Sequence, residues 1–545
     1  MTDILDSPAR MGLVVGGSLS RGVEVRLDAT YPVERVKVGG FVTIQGESQR
    51  FFGIVSDVAL ETSDQSVRGA PPDISNPFVA SVISGTGAYA IVNVVPQLVL
   101  SSDPLSIIEG PQSARSIPAH FTPVFQASDE DIRMVFGAED ERRVWVGSPL
   151  DMDETRVCLD LEELVKRSNG VFGKSGTGKS FLTRILLAGI LQKGVAVNLV
   201  FDMHNEYGWQ GSSESGPPVK GLKQLFSSQV AVFTVDAESS LRRGVAADAE
   251  VQIGYGEIEP QDMETLAETL NLTPQGVSAV YSLVRHFGQE AWLREFLETE
   301  GREEQSALAE AVGEPFQVLF TLHRRLRALG RMKFLAPHAP DNAVGRILDY
   351  LDRGMHVVLE FGRYREDLTA YILVANLLTR RIHDRYVQRM EAAAGDSSQE
   401  PRQLVITIEE AHRFLTPAVA SQTIFGTIAR EMRKYKVSLL VVDQRPSGID
   451  DEVLSQLGTR FSYLLDNERD VDSVLSGAPG ARELRTVLSR LDSRQQALIF
   501  GHAVPMPVVV RTRDYGTEES YKEMGFRDSA DLRRQAEEDS RDLFG

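Results

Sequence analysis

From Leu13 to about Val124, short apolar-alternating runs are cut by Gly, Pro, Asp and Ser. The clearest are Val23 to Leu27, Phe41 to Ile44, Phe51 to Val55 and Ala90 to Val95. Strands at this spacing, with no long helical period, predict a small β-barrel or sandwich. From about Arg142 the texture changes. β-Branched runs now alternate with long amphipathic helices, which predicts a largely parallel sheet with helices on its faces. The expected core strands are Gly170 to Phe172, Val195 to Asp202, Val230 to Val235, His356 to Phe361, Leu404 to Glu409 and Ser438 to Asp443. Between Pro260 and Pro337 the apolar positions, among them Phe316, Leu319, Leu322 and Leu326, fall at helical spacing. That segment reads as a helical insertion. From Asp514 acids and bases are mixed, as in a frayed tail or an arm that docks on a neighbour.

Chain-wide properties narrow the class. The 545 residues imply several domains, and 42% hydrophobic with 25% charged residues is a globular balance. No run approaches the roughly 18 to 20 apolar residues that cross a bilayer. Met1 to Gly12 has acids and a proline but no basic region before an apolar core, so a secretory signal is not expected. Cys158, the single cysteine, excludes a disulfide framework and a cysteine-built zinc site, and reads as a small buried thiol. The expected location is the cytoplasm, with no membrane partner. Net charge is 58 − 77 = −19, which works against broad phosphate contact, although whole-chain charge does not report the lining of one channel.

Gly173-Lys174-Ser175-Gly176-Thr177-Gly178-Lys179-Ser180 fits the GxxxxGK[ST] loop at every fixed position. An apolar strand end precedes it, and a helix from Phe181 to Gln192 follows. Glycines let backbone N–H groups turn inward around phosphates, and the helix N-terminus adds positive potential. Lys179 is expected on the β- and γ-phosphates and Ser180 on Mg²⁺. The fold class is therefore α/β: a RecA-like P-loop core with a parallel-rich sheet, an N-terminal barrel, a helical insertion and a C-terminal tail. The expected divisions are a barrel (1–125), a linker (126–155), a first core part (156–259), the insertion (260–340), a second core part (341–513) and a tail (514–545).

A second motif separates an ATP hydrolase from other P-loop proteins. The apolar run Leu404 to Ile408 ends in Glu409-Glu410, placing one acid for the Mg²⁺ shell and the next to polarise water for in-line attack. Glu409, one methylene longer than the usual Asp, reaches the metal directly or through water. Two acids favoured by a helix dipole are the bland alternative. Asp202 and Glu206, closing another strand, are expected near the nucleotide, because ligands gather at the carboxyl ends of such strands. His204 is either part of that set or a hydrogen-bonding loop residue. Gln444, after Val441-Val442-Asp443, is placed to sense the γ-phosphate. Arg433, then Arg430, are candidate arginine fingers acting in a neighbouring subunit, which can be worth about 10³ to 10⁵ in rate. Arg167 is a further phosphate or interface candidate.

Taken together, GKSGTGKS (173–180), FDMHNEYG (201–208), ITIEEAHRF (406–414), AREMRKY (429–435) and VVDQRPSGID (441–450) resemble the HerA family of HerA/FtsK translocases. The family's Gly in the second motif is Asn205 here, which also tolerates left-handed backbone. The resemblance implies a homohexameric ring that uses ATP and Mg²⁺ to move double-stranded DNA through its channel. It also implies a nuclease partner of the NurA kind in DNA-end resection and recombinational repair. DNA contacts are less legible. Arg363, Tyr364 and Arg365 form one candidate loop. The run from His323 to Arg327, with Arg331 and Lys333, reads better as a solvated helix face. A secretion- or conjugation-type ATPase and a nucleotide-gated scaffold for a phage-defence effector are the alternative functions.

Overall fold

The computed structural model describes residues 10–526, apart from 48, 64, 70–72, 74, 102–110, 151, 212–217, 340–341, 418–419, 421–423 and 494. It divides into two compact units. One comprises Met1–Leu164, Phe172–Lys179 and Gly458–Arg513; the other comprises Val165–Val171, Ser180–Leu457 and Asp514–Gly545.

The first unit begins with a seven-stranded sheet in the order Gly22–Leu27, Arg10–Ser18, Pro123–Gln126, Phe41–Gln45, Gln49–Thr62, Ala88–Ser101, Gln112–Ser113. Gly22–Leu27 also pairs with Ala88–Ser101, from Val23↔Val94 to Arg26↔Ile91, so the sheet closes into a barrel. Closure removes the free edges that would otherwise template aggregation. Alternation along the strands sends Val25, Ile44, Val92, Val94 and Val124 into one interior cluster.

The segment expected as a linker is structured, which corrects the 126–155 reading. Asp129–Phe136 is a helix begun by a reciprocal Ser128/Asp131 capping box, and it buries Ile132, Val135 and Phe136. Arg143–Pro149 is a strand of an antiparallel sheet ordered Thr459–Ser462, Gln496–Gly501, Val508–Thr512, Arg143–Pro149, Val157–Asp160. It pairs locally with Val157–Asp160, while its other rung, Gly147↔Thr512, joins it to a strand far along the chain.

In the second unit the strand order is Ala249–Glu250, Val230–Thr234, His356–Glu360, Val197–Asp202, Leu404–Glu409, Val437–Asp443 and then Asn169–Phe172. The ladders joining the first six are parallel. These strands are apolar almost throughout, as strands covered on both faces must be. Parallel register carries every strand's carboxyl end to one edge. Asp202 therefore stands opposite Glu360, and Glu409 opposite Val442.

The insertion is helical from Pro260 to Leu326, and a short parallel ladder, Ile253↔Leu335 and Gly254↔Ala336, closes its base. Asp262 in its first helix accepts bonds from Arg380 (2.9 Å) and Asn376 (3.2 Å) of the long helix Leu368–Ala393. The described part of the C-terminal segment packs on its own unit. Tyr515, Tyr521 and Met524 pack with Ile185 and Val219. Residues 527–545 lie outside the described residues.

Candidate nucleotide site

The phosphate loop runs from Phe172 into the helix Lys179–Lys193. Gly173, Gly176 and Gly178 hold φ of 151°, 78° and 110°, a region open to glycine and strained for other residues. Gly173 has a second reason to be glycine, since a Cβ there would lie 2.6 Å from Tyr463 Cβ. Tyr463 is fully buried, and its hydroxyl donates to Gly178 O at 3.3 Å. Its backbone N–H donates to Phe172 O, and Lys174 N–H donates to Leu464 O. One tyrosine thus backs both ends of the glycine arc. Lys179 Nζ donates to Lys174 O at 2.8 Å across the mouth of the loop, and Thr177 Oγ1 bonds the same carbonyl. Lys174 pairs with Asp466 at 3.1 Å, while Ser175 and Gly176 are exposed and Ser180 and Phe181 half-buried.

At the sheet's carboxyl edge, Asp202 is fully buried and accepts backbone N–H bonds from Glu206 (2.8 Å), Tyr207 (2.7 Å) and Gly208 (3.2 Å). Burial pushes its pKa up, against those bonds. The turn it organises passes through Asn205 at φ 57°, the position where the resemblance called for Gly. Asn205 Oδ1 also accepts from Gly362 N at 3.0 Å, and His204 is exposed. Glu409 is buried, and Tyr207 donates its hydroxyl to Glu409 Oε1 at 2.9 Å. Glu409 Oε2 has no hydrogen-bond partner among the described residues. Burial, then Asp202 and Glu206, push Glu409 up to about 8.

Glu410 takes left-handed backbone, φ 50° and ψ 45°, which turns its side chain out of the strand. Gln444 Nε2 donates to Glu410 Oε1 at 3.1 Å. His412 Nδ1 lies 3.0 Å from Asp443 Oδ2 and 3.5 Å from Glu410 Oε2. The Asp443 bond raises the His412 pKa. Asp443 also accepts the backbone N–H of His412 and of Arg445, both at 2.6 Å. It therefore fixes the loops that carry Glu410 and Gln444.

Each donor set by itself suits one part of a magnesium-bound nucleoside phosphate. In the first unit three positive-φ glycines and a buried lysine form an anion cradle; in the second, Glu409 offers a buried carboxylate oxygen with no partner among the described residues. Ser180 and Glu409 are the residues that would hold the ion, and its charge would favour the ionised carboxylate.

The arginines separate by environment. Arg433 is exposed, and no ion pair is recorded for it among the described residues; Arg430 lies 3.8 Å from Glu452. Arg167 is half-buried. The loop 363–365 is tied into its own unit. Arg363 is spent on Asp236 (2.8 Å) and Glu238, because its backbone also caps Asp236. Tyr364 is buried edge-on against Phe334 and accepts from Lys333 N at 2.9 Å. Arg363 and Arg365 are both exposed. In the other basic run, His323 is buried and Arg324 and Arg327 are exposed, the expected solvated helix face.

Sequence reasoning missed Tyr207, Tyr463 and Arg184. Arg184 is 1% exposed, ringed by Phe181, Tyr207 and Tyr515, and donates to Glu206 O at 3.1 Å. The available signal was a lone charge inside the apolar helix after the loop.

A glycine cradle at a helix N-terminus, with an acid-ended strand in a parallel sheet, defines the class: a P-loop ATP hydrolase. Residues 144–382 match the family described as "Helicase HerA, central domain". The chain is 25% identical over 415 residues to the DNA double-strand break repair helicase HerA of Pyrococcus furiosus, covering 72% of this chain and 73% of that protein. It is 23% identical over 506 residues to the protein of that name from Sulfurisphaera tokodaii, covering 92% of each. Among solved structures it is similar to the plasmid coupling protein TrwB in complex with ADP and Mg²⁺ (TM-score 0.46, 12% identity, 73% of this chain and 94% of that one). The chain is thus similar to HerA helicases, through their central domain and along most of its length.

Proposed function

We propose that this chain is an ATP-driven translocase of double-stranded DNA. In this reading it is cytoplasmic, works as a homohexameric ring, and serves DNA-end resection and recombinational repair with a nuclease partner of the NurA kind. Lys179 binds the β- and γ-phosphates, with the backbone of residues 173–180 around them. Ser180 and Glu409 hold Mg²⁺, with Asp202 and Glu206 shaping the charge around that position. Glu410 orients and polarises the attacking water, and Gln444 senses the γ-phosphate. Arg433, with Arg430 as the second choice, serves the nucleotide of the adjacent subunit.

The observation that carries the hydrolytic part is the 3.1 Å bond from Gln444 to Glu410. It joins a sensing amide to the acid that must act on water, so occupancy of the γ-phosphate position and alignment of the base change together. Two relatives named as double-strand break repair helicases support the DNA part. The test is ATPase activity of the purified protein with and without duplex DNA, over a salt series, beside Lys179→Ala. Salt-sensitive stimulation by duplex, lost in the variant, is the expected result. Vigorous hydrolysis indifferent to DNA would overturn the translocase.

A further inference from the structure

Among the described residues, the Glu409 side chain accepts one hydrogen bond, and it comes from another buried group. Tyr207 is fully buried, with its backbone N–H held by Asp202 at 2.7 Å and its ring 5.5 Å from the Arg184 guanidinium. Arg184 Nη2 reaches Glu206, while its Nε and Nη1 are buried with no hydrogen-bond partner among the described residues. The remaining faces around that guanidinium are the rings of Phe181 and Tyr515. Tyr515 is fixed in turn, as its hydroxyl donates to Lys220 O at 2.7 Å.

A buried arginine with two unpaired donors is costly unless the groups around it need its charge and bulk. Here both are used. The guanidinium faces the carboxylate of Glu206, and its plane packs on the ring whose hydroxyl sets Glu409. A bare carboxylate at Glu409 would be free to swing about its last torsion, which is broad and soft. A donor arriving from a locked ring removes that freedom and leaves Oε2 as the oxygen available to a cation.

We propose that Tyr207 is a positioning residue that orients Glu409 for the metal, and that Arg184, clamped by Tyr515 of the C-terminal segment, holds Tyr207 in place. This rests on the nucleotide-hydrolysis reading above. It adds that the carboxyl-terminal segment, through Tyr515, sets the geometry of the metal-side acid.

The experiment compares wild type with Tyr207→Phe, which keeps the ring and removes only the hydroxyl. Fluorescent ADP is titrated with and without Mg²⁺, and thermal melting and ATP turnover are measured on the same samples. The expected result is unchanged metal-free ADP affinity and melting, loss of most of the Mg²⁺-dependent gain in affinity, and turnover down by about tenfold or more. A double-mutant cycle with Glu409→Gln separates positioning from packing. If Tyr207 acts through Glu409, Tyr207→Phe adds less than about twofold in the Glu409→Gln background. Independent losses in the cycle, or full Mg²⁺ dependence in Tyr207→Phe, overturn the proposal. Should Tyr207→Phe melt early, Tyr515→Leu provides the second reading, with a reduced Mg²⁺-dependent gain expected and an intact one refuting the clamp. Wild type that binds ADP but does not turn over ATP would sink the hydrolysis reading, while the Mg²⁺ titrations still decide the role of Tyr207.

Discussion

Gln444 donates its amide to Glu410 across 3.1 Å, and both residues leave neighbouring parallel strands whose last paired rung is Glu409↔Val442. The pair is reachable only because Glu410 breaks from the strand into left-handed backbone, a conformation that costs a non-glycine residue about 1–2 kcal/mol. This strain falls at the position proposed to act on water.

Glu410→Gly should therefore uncouple stability from activity. Thermal melting is expected to hold or rise, since glycine accepts φ 50° freely, while ATP turnover falls by at least about 10³-fold. Glu410→Gln is expected to match it in turnover and to retain nucleotide binding. Steady-state ATPase assays with calorimetry on the same preparations decide this, and near-wild-type turnover in either variant would remove Glu410 from the chemistry.

Gly173→Ala tests the backing of the loop by Tyr463. The new Cβ would lie 2.6 Å from Tyr463 Cβ at a φ of 151°. The expected outcome is a loss of about 1–3 kcal/mol in stability and a more than tenfold weaker ADP titration. Unaltered affinity would mean that the arc tolerates a side chain.

Arg433 is exposed, as a residue acting on a neighbour must be in one protomer. Arg433→Ala and Lys179→Ala are each expected to be inactive alone. Mixed, they should recover part of the turnover, because some interfaces then pair an intact Lys179 with an intact Arg433. No recovery in well-mixed rings would place Arg433 outside a shared site.

His356 predicts a pH effect on folding. Its Nδ1 accepts a bond from Asn198 N at 3.1 Å, and burial pushes its pKa down to about 4. Between about 6.5 and 4 the unfolded chain takes up a proton that the folded His356 refuses, so stability falls as pH drops through that window. The full effect is roughly 3 kcal/mol. Denaturant titrations of wild type minus His356→Gln should show this slope, and a difference independent of pH would contradict it.

Much of the parallel core was legible because its strands are continuous apolar runs ending in acids. Leu404–Glu409 matches the expected bounds, and Val197–Asp202 and Val437–Asp443 lie within two residues of theirs. The phosphate loop was legible because a fixed set of glycines must stand at fixed spacing. The pairing of Arg143–Pro149 with Val508–Thr512 was not, since each has a near partner, Val157–Asp160 or Gln496–Gly501, while the rung that joins them spans hundreds of residues. The partners of the loop 363–365 were hidden for a related reason. Composition displays two arginines and a tyrosine, but Asp236 and Phe334, which meet Arg363 and Tyr364, come close only after folding.

Local sequence determined where the backbone must accept left-handed turns, which strand ends carry carboxyl groups, and which helix follows the phosphate loop. These follow from short-range sterics and periodicity, which act between residues near one another in the chain. Tertiary structure alone decided that Tyr207 reaches Glu409 and that Arg184 is enclosed by Tyr515. Those contacts join residues 202 and 331 positions apart, and only the packed interior, where each buried polar group needs a partner or a cost, selects them.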